Sequence, residues 1–377
     1  MVLKVAVAAR LYKLLSGVRI GQAGSASKGA PIWFGVVCRT VPLMATQDQQ
    51  EPNKSTTLTE VREENIMRQR ARFFSFILLV AIGAASQCAQ AANLTVNCDK
   101  KETIHKAVKL LATANPQGPN TITVAGSCRE NIVIQSMDRL TLITNKGASI
   151  TDRSNGSLAV VDIEDSHSVT LQGFTIIGGG GGVNCGSASV CYLTGNTIQD
   201  GAGTGLGVGR GSHAFLESNV IQNNGGRGST VEDGSQMFSG NDVFQGNAAQ
   251  GIVVDDAYFV ASNSSFLNNG VGIQAIASTL RLHGGTISGS IGNGMTMVAG
   301  STVVFRDSAT VIGNGGDGVH LEDASFAGFQ SATVTGNLSG LDVNCAPQFT
   351  ITHFVARTGG ITNCVEPVSN SKLKDLE

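Results

Sequence analysis

Residues 245–257 read QGNAAQGIVVDDA. A closing Gly251 is followed by Ile252 and Val254 in alternation, and then by two adjacent aspartates. The phrase is one line of a repeat. Glycines stand at Gly182, Gly205, Gly228, Gly251, Gly272, Gly294, Gly318, Gly340 and Gly360, spaced by 20 to 24 residues. One apolar position recurs within the units: Ile176, Ile198, Ile221, Phe244, Phe266, Ile287, Val311 and Val334. Three residues later an asparagine recurs as Asn224, Asn247, Asn269, Asn314 and Asn337, with Ser290 filling one gap. After each closing glycine apolar residues alternate, as in Leu206/Val208, Ile273/Ala275 and Val319/Leu321.

A period near 22 with a period of two inside it describes a solenoid of short strands. No unit holds a helix-length amphipathic segment, and the signature of leucine-rich repeats is absent. The predicted fold is all-β: a single-stranded parallel β-helix of about ten to eleven rungs over residues 119–366, each rung hydrogen-bonded to the next. Rungs stack about 4.8 Å apart, so equivalent residues form columns. The Ile/Phe column fills the core. The Asn column is placed at a bend, where Asn tolerates a left-handed backbone and stacked amides bond along the column.

The composition agrees. The chain of 377 residues has 48 glycines, 7 prolines and only 14% charged residues. Plentiful Val, Ile, Thr, Ser and Asn suit short strands and many turns. A hydrophobic fraction of 41% exceeds that of a disordered chain. A net charge of −2 offers nothing to a polyanion such as nucleic acid.

The N-terminal region reads differently. From Met67, three arginines precede an apolar stretch over 73–85, and then Ala89-Gln90-Ala91 supplies a small-x-small cleavage pattern. This is the form of a secretory signal over 67–91, cut after Ala91. The apolar stretch is short of the roughly 20 residues that span a bilayer, so no integral membrane segment is expected in the mature chain. Residues 1–66 read as a non-native or disordered extension ahead of a start at Met67, or as a real basic leader, since 1–47 carry no acidic residue. Residues 92–118 form an N-terminal cap segment and 367–377 a disordered tail. Six cysteines follow the cleavage point, and an even count in an exported chain reads as disulfides. Nearest-neighbour pairing gives Cys98–Cys128, Cys185–Cys191 and Cys345–Cys364. The expected location is secreted or periplasmic, and the expected state is a monomer.

From about Val96 onward the chain resembles the right-handed β-helix, or pectin-lyase-like, superfamily. The phrase N-x-x-x-G-I-x-x is similar to the repeats of periplasmic carbohydrate-binding β-helix proteins and of mannuronan epimerases. TIHKAVKLLA (103–112) is one amphipathic helix with Ile104, Ala107, Val108 and Leu111 on a face. In the superfamily such a helix caps the open N-terminal end of the core. The resemblance implies an exported protein that interacts with a polysaccharide as a lyase, hydrolase or epimerase. The competing reading is a non-catalytic surface or periplasmic binding, adhesin or scaffold module, because one fold hosts many chemistries.

In the related enzymes the strand after the repeat's glycine belongs to the face that carries the active site. Aligning those strands puts Glu232 and Asp255 in one outward column, with Asp233 and Asp256 at the following turn position and Arg210 one rung earlier. Stacked carboxylates need a cation, a shared proton or free solvent. Three readings stand: a calcium site made by Glu232, Asp233, Asp255 and Asp256, a catalytic acid–base pair, or solvated strand ends. A second cluster joins His320, Glu322 and Asp342, with His320 and Asp342 aligned in adjacent rungs; a carboxylate beside a His raises its pKa and fixes its tautomer. The alternative is an exposed His with a surface partner. Arg210, Tyr258, Asp342 and Glu322 are the candidate substrate contacts, and Tyr192 and Tyr258 the aromatics suited to stacking sugars. The polygalacturonase-like and epimerase-like motif sets are not assembled, although Asp255-Asp256 and His283-Gly284 occur. The glycine run 178–182 lacks a following Lys-Ser/Thr and is a turn.

Overall fold

A computed structural model describes residues 91–338, 340–346 and 360–364. The segments 1–66 and 67–91, apart from Ala91, and the tail 367–377 lie outside the described residues.

Three parallel sheets wind around one core. Sheet 1 has eleven strands, running from Ala92–Asn97 to Phe326–Phe329. Sheet 2 has ten, from Ser127–Arg129 to Thr333–Thr335, and sheet 3 has ten, from Ile132–Gln135 to Val343–Cys345. Every rung contributes one strand to each sheet, so strands adjacent in space lie about one repeat apart in sequence. The register equates Phe244 with Phe266, Ile252 with Ile273, and Glu232 with Asp255, as the repeat predicts.

The core column is continuous: Ile150, Ile176, Ile198, Ile221, Phe244, Phe266, Ile287, Val311 and Val334 are all buried. Phe244 and Phe266 stack with ring centroids 5.0 Å apart and planes 6° from parallel. The repeating glycine is required by close approach. A Cβ on Gly205 would meet the Gly228 carbonyl oxygen at 2.7 Å and Ile221 Cγ2 at 2.8 Å. Each rung thus leaves room for the next rung's carbonyl.

Asparagines carry the bends. Asn224 Nδ2 donates to Asn247 Oδ1 at 2.9 Å, and Asn247 Nδ2 donates to Asn269 Oδ1 at 3.0 Å. The same oxygens accept from backbone N–H groups one rung earlier. These ladder residues are not the left-handed ones, contrary to the expectation. The positive φ belongs to the residue before each, at Asn223 (54°), Gly246 (62°) and Asn268 (54°). The ladder position must aim its amide inward, and the preceding residue absorbs the reversal. Two further ladders were not foreseen. Asn196, Asn219, Asp242 and Ser264 form one, and Ser166, Ser189, Ser212 and Ser235 another.

The cap is helix α1 (Ile104–Ala114), which buries Ile104, Ala107, Val108 and Leu111 as its pattern requires. Thr103 is its N-cap. The buried Glu130 accepts from the N–H groups of Ile104 at 2.8 Å and His105 at 2.9 Å, so the first rung holds the positive end of the helix. Ahead of α1, Ala92–Asn97 forms a strand paired in parallel with Asn120–Ala125, within the segment read only as a cap. All three disulfides pair as expected, with Cα separations of 5.0, 6.4 and 5.1 Å. Cys345–Cys364 ties the last rung to the segment beyond it, beside the bridge between Val343 and Thr362.

The last rung departs from the glycine alignment. The carbonyl stacked on Gly318 is that of Asp342, not Gly340. The unit therefore closes two residues later than its glycine suggests.

Candidate functional site

Sheet 3 carries two outward columns. The first runs Asp162, Asn184, Gly207, Thr230, Val253, Gln274, Thr296, His320, Asn344. In the second, Glu164 pairs with Gly186 and Glu232 with Asp255, followed by Ile276 and Val298. Glu232 and Asp255 are thus neighbours, as the sequence indicated. Arg210, Asp233 and Asp256 share a turn column with positive φ of 56°, 55° and 46°. All three are exposed. Among the described residues Arg210 makes no ion pair, and the four carboxylates bring no three oxygens within 4.8 Å of one another. Among the described residues the one trio of candidate ligand atoms that close together, from Cys98, Cys128 and Glu130, contains a disulfide.

Between the acidic residues the surface is hollow. Glu164, Asn184, Gly186, Gly207, Gly209, Arg210, Glu232 and Asp233 line a polar cleft of about 210 Å³. Its far wall is ordered: Asn184 Nδ2 donates to Asp162 Oδ1 at 2.7 Å and to Glu164 Oε1 at 3.2 Å, and Ser187 Oγ bonds Glu164 Oε2. Its floor is made by Gly207 and Gly209. Neither has positive φ, and a Cβ there would meet nothing closer than 3.3 Å and 3.4 Å. A Cβ at either position would press only on a neighbouring side chain, Asn184 or Glu232, whereas at Gly205 it would strike backbone; the lack of side chains opens the cleft. Sequence reasoning passed over the gap that Gly186, Gly207 and Gly209 leave in the outward columns, and over Asp162 and Glu164.

The second cluster forms around a different carboxylate. His320 pairs in register with Asn344. Asp342 does not face it: it is 6% exposed and ends the asparagine ladder, its Oδ1 accepting from Asn337 N and Nδ2 and its Oδ2 from Ile361 N. The two-residue shift of the last rung is the reason. Asp317 takes the expected place. Its Oδ2 lies 2.7 Å from His320 Nδ1 and accepts from Asn344 Nδ2 at 2.7 Å, while Oδ1 accepts from Leu341 N at 3.0 Å. Glu322 Oε1 lies 2.7 Å from His320 Nε2, as anticipated. Burial works against the charged imidazole, but the hydrogen bonds and charges of Asp317 and Glu322 outweigh it and raise the His320 pKa. Burial likewise opposes ionised Asp317; bonds from Asn344, His320 and Leu341 prevail and lower its pKa. The signal for Asp317 was the Asp-Gly-Val-His spacing across the closing glycine.

The two clusters are separate. Glu322 lies four rungs beyond Glu232, roughly 19 Å at the strand spacing of a sheet, so they cannot act on one bond. Tyr192 and Tyr258 lie on sheet 1, away from both.

Comparisons agree with this architecture. Residues 120–279 match the family model described as a right-handed β-helix region. A pectate lyase structure, Pel9A, is 12% identical, with 70% of this chain and 80% of that one covered at a TM-score of 0.50. The A-module of mannuronan C-5 epimerase AlgE4 from Azotobacter vinelandii is 14% identical, covering 71% and 92% at 0.53. ORF18 of Geobacillus virus E2 is 12% identical, covering 70% and 61% at 0.53. No curated protein matches the chain in sequence. The chain has the right-handed parallel β-helix fold.

Proposed function

We propose that this protein binds a neutral polysaccharide along sheet 3, with the glycine-floored cleft as its principal subsite. The carrying observation is that no backbone atom outside the adjoining residues would stand within 4 Å of a Cβ on Gly207 or Gly209, yet both are glycine. A pyranose ring fits across the gap. Its hydroxyls can donate to Glu164 and Glu232 and accept from Arg210. The wall is acidic with one cation, so an uncharged chain meets less repulsion than a uronate polymer. The likeness to a pectate lyase and a mannuronan epimerase supports a polysaccharide ligand, and the three disulfides are in keeping with an exported protein. Among the described residues no helix is long and apolar enough to cross a membrane.

The test is a glycan panel read by calorimetry. Gly207→Leu fills the cleft without backbone conflict and should abolish binding, and Glu164→Gln should weaken it at least tenfold. Binding that survives Gly207→Leu, or that is confined to uronate polymers, sinks the proposal.

A second reading, turnover, is favoured by His320. Asp317 fixes Nδ1 from a mostly buried position, whereas the Glu322 side chain is 43% exposed. A substrate that displaces Glu322 would meet a protonated Nε2, a general acid. New reducing or unsaturated ends that vanish in His320→Gln would support this reading, and their absence on every bound glycan would leave a binding module.

A further inference from the structure

Sheet 1 carries an apolar stripe that neither reading uses. Tyr192, Phe215 and Phe238 occupy one outward column, followed by Val260, Arg281 and Val304. Tyr192 and Phe215 are 38% and 37% exposed. Their rings are stacked on one another: Tyr192–Phe215 centroids lie 5.1 Å apart at 14°, and Phe215–Phe238 centroids 5.2 Å apart at 6°. Tyr258 meets Phe238 edge-on, and the Arg281 guanidinium sits 5.8 Å over the Tyr258 ring.

This geometry argues against a sugar. A pyranose stacks on the face of an aromatic ring, and here the faces are turned toward neighbouring rungs. Rows of ring edges and methyl groups suit a second packed sheet, at about 10 Å spacing.

The charges beside the stripe identify that sheet. Glu217 flanks Phe215 and is bonded by Asn241 Nδ2 at 2.8 Å, with no cation beside it among the described residues. Arg281 and Arg306 lie three and four rungs further on and are exposed, and neither has a carboxylate partner among the described residues. We propose that two copies of this chain associate through sheet 1 about a two-fold axis parallel to the strands, with their solenoids antiparallel. The axis passes between the Phe238 and Val260 rungs. Phe238 then packs on the partner copy's Val260, and Tyr192 on its Val304. Phe215 lies under the partner copy's Arg281. Glu217 meets the positive patch of Arg281 and Arg306. The other face-to-face arrangement, with solenoids parallel, would set Arg281 against its own copy. The antiparallel dimer leaves both sheet 3 clefts open.

Sedimentation equilibrium on the full chain is the test, with the melting midpoint of each variant as the check of folding. The wild type should be a dimer at micromolar concentration. Phe215→Glu and Tyr192→Glu, both at exposed positions, should each sediment as a monomer that still unfolds cooperatively, at a midpoint lowered by no more than the lost association and ring stacking account for. Glu217→Arg should weaken the dimer at least tenfold, and adding Arg281→Glu with Arg306→Glu should restore it. A wild type still monomeric at 100 µM overturns the proposal. So does a dimer that withstands both aromatic substitutions, or a charge reversal that the second reversal does not repair. Glycan binding lost in Phe215→Glu would reassign the stripe to the ligand and overturn it too.

Discussion

Asp317 and Glu322 hold His320 from opposite sides, each with a carboxylate oxygen 2.7 Å from a ring nitrogen. Asp317 comes from the turn before the strand and Glu322 from its end, so the imidazole bridges a turn and a strand.

The pH dependence follows. The folded pKa of His320 is raised, so its stabilising contribution is complete below the unfolded value near 6.5 and is lost as pH rises through the folded value. The folded pKa of Asp317 is lowered, so its contribution is present above 3.8 and is lost as pH falls through the folded value. The ion pair therefore stabilises most in the mildly acidic window between. His320→Gln should flatten the stability profile from pH 6 upward, as measured by urea midpoints. A profile identical to the wild type would refute this.

Phe244 and Phe266 share the core column as a stacked pair. Phe244→Ala should cost roughly 3–5 kcal/mol, because no neighbouring rung can collapse into the space without losing its own register. Chemical denaturation measures it, and an unchanged midpoint would contradict the register.

Asp242 is a buried carboxylate in a ladder otherwise made of amides and a hydroxyl. Burial raises its pKa, against hydrogen bonds from Ser239 and Asn219. A raised folded pKa means that the folded state binds more protons than the unfolded one above pH 3.8, so stability is lost as pH rises. Asp242→Asn should keep the acceptor for Asn219, remove the buried charge and raise the melting midpoint at neutral pH. Near pH 2, where the carboxyl is neutral in both states, the midpoints should converge. A lower midpoint at pH 7 would mean that the charge is stabilising.

Glu130 supplies both acceptors for the start of α1. Glu130→Ala leaves two N–H groups without them and should cost about 2–3 kcal/mol. Hydrogen exchange at Ile104 and His105 should accelerate before that of the central rungs. Unchanged protection at these two amides would show that Thr103 and apolar packing suffice.

The rungs were legible where the repeat is dictated by contact. From Gly182 to Gly318 a side chain would strike the next rung's carbonyl, so the glycine marks the unit. At Gly340 that force is gone, since Asp342 takes the closing position. The glycine there misled the alignment, and Asp342 went with it. Asp317 escaped notice because it lies on the turn before the strand, outside the alternation. Phe215 and Phe238 recur 23 residues apart after Tyr192. Attention to the face after the closing glycine hid a stripe that the same periodicity spells out. The cleft was hidden for another reason: it is an absence of side chains, and a repeat reads presence.

Because Gln250 leads into Gly251 along the same backbone path by which Val271 leads into Gly272, the rod can lose one complete turn. Excision of residues 251–271 would join Gln250 to Gly272 and leave every remaining column intact, whereas cutting half that length would turn the core outward. The molecule is thus divisible only in whole turns. Its length, and with it the number of sites along its face, can change by duplication or loss of a single segment without inventing a new fold.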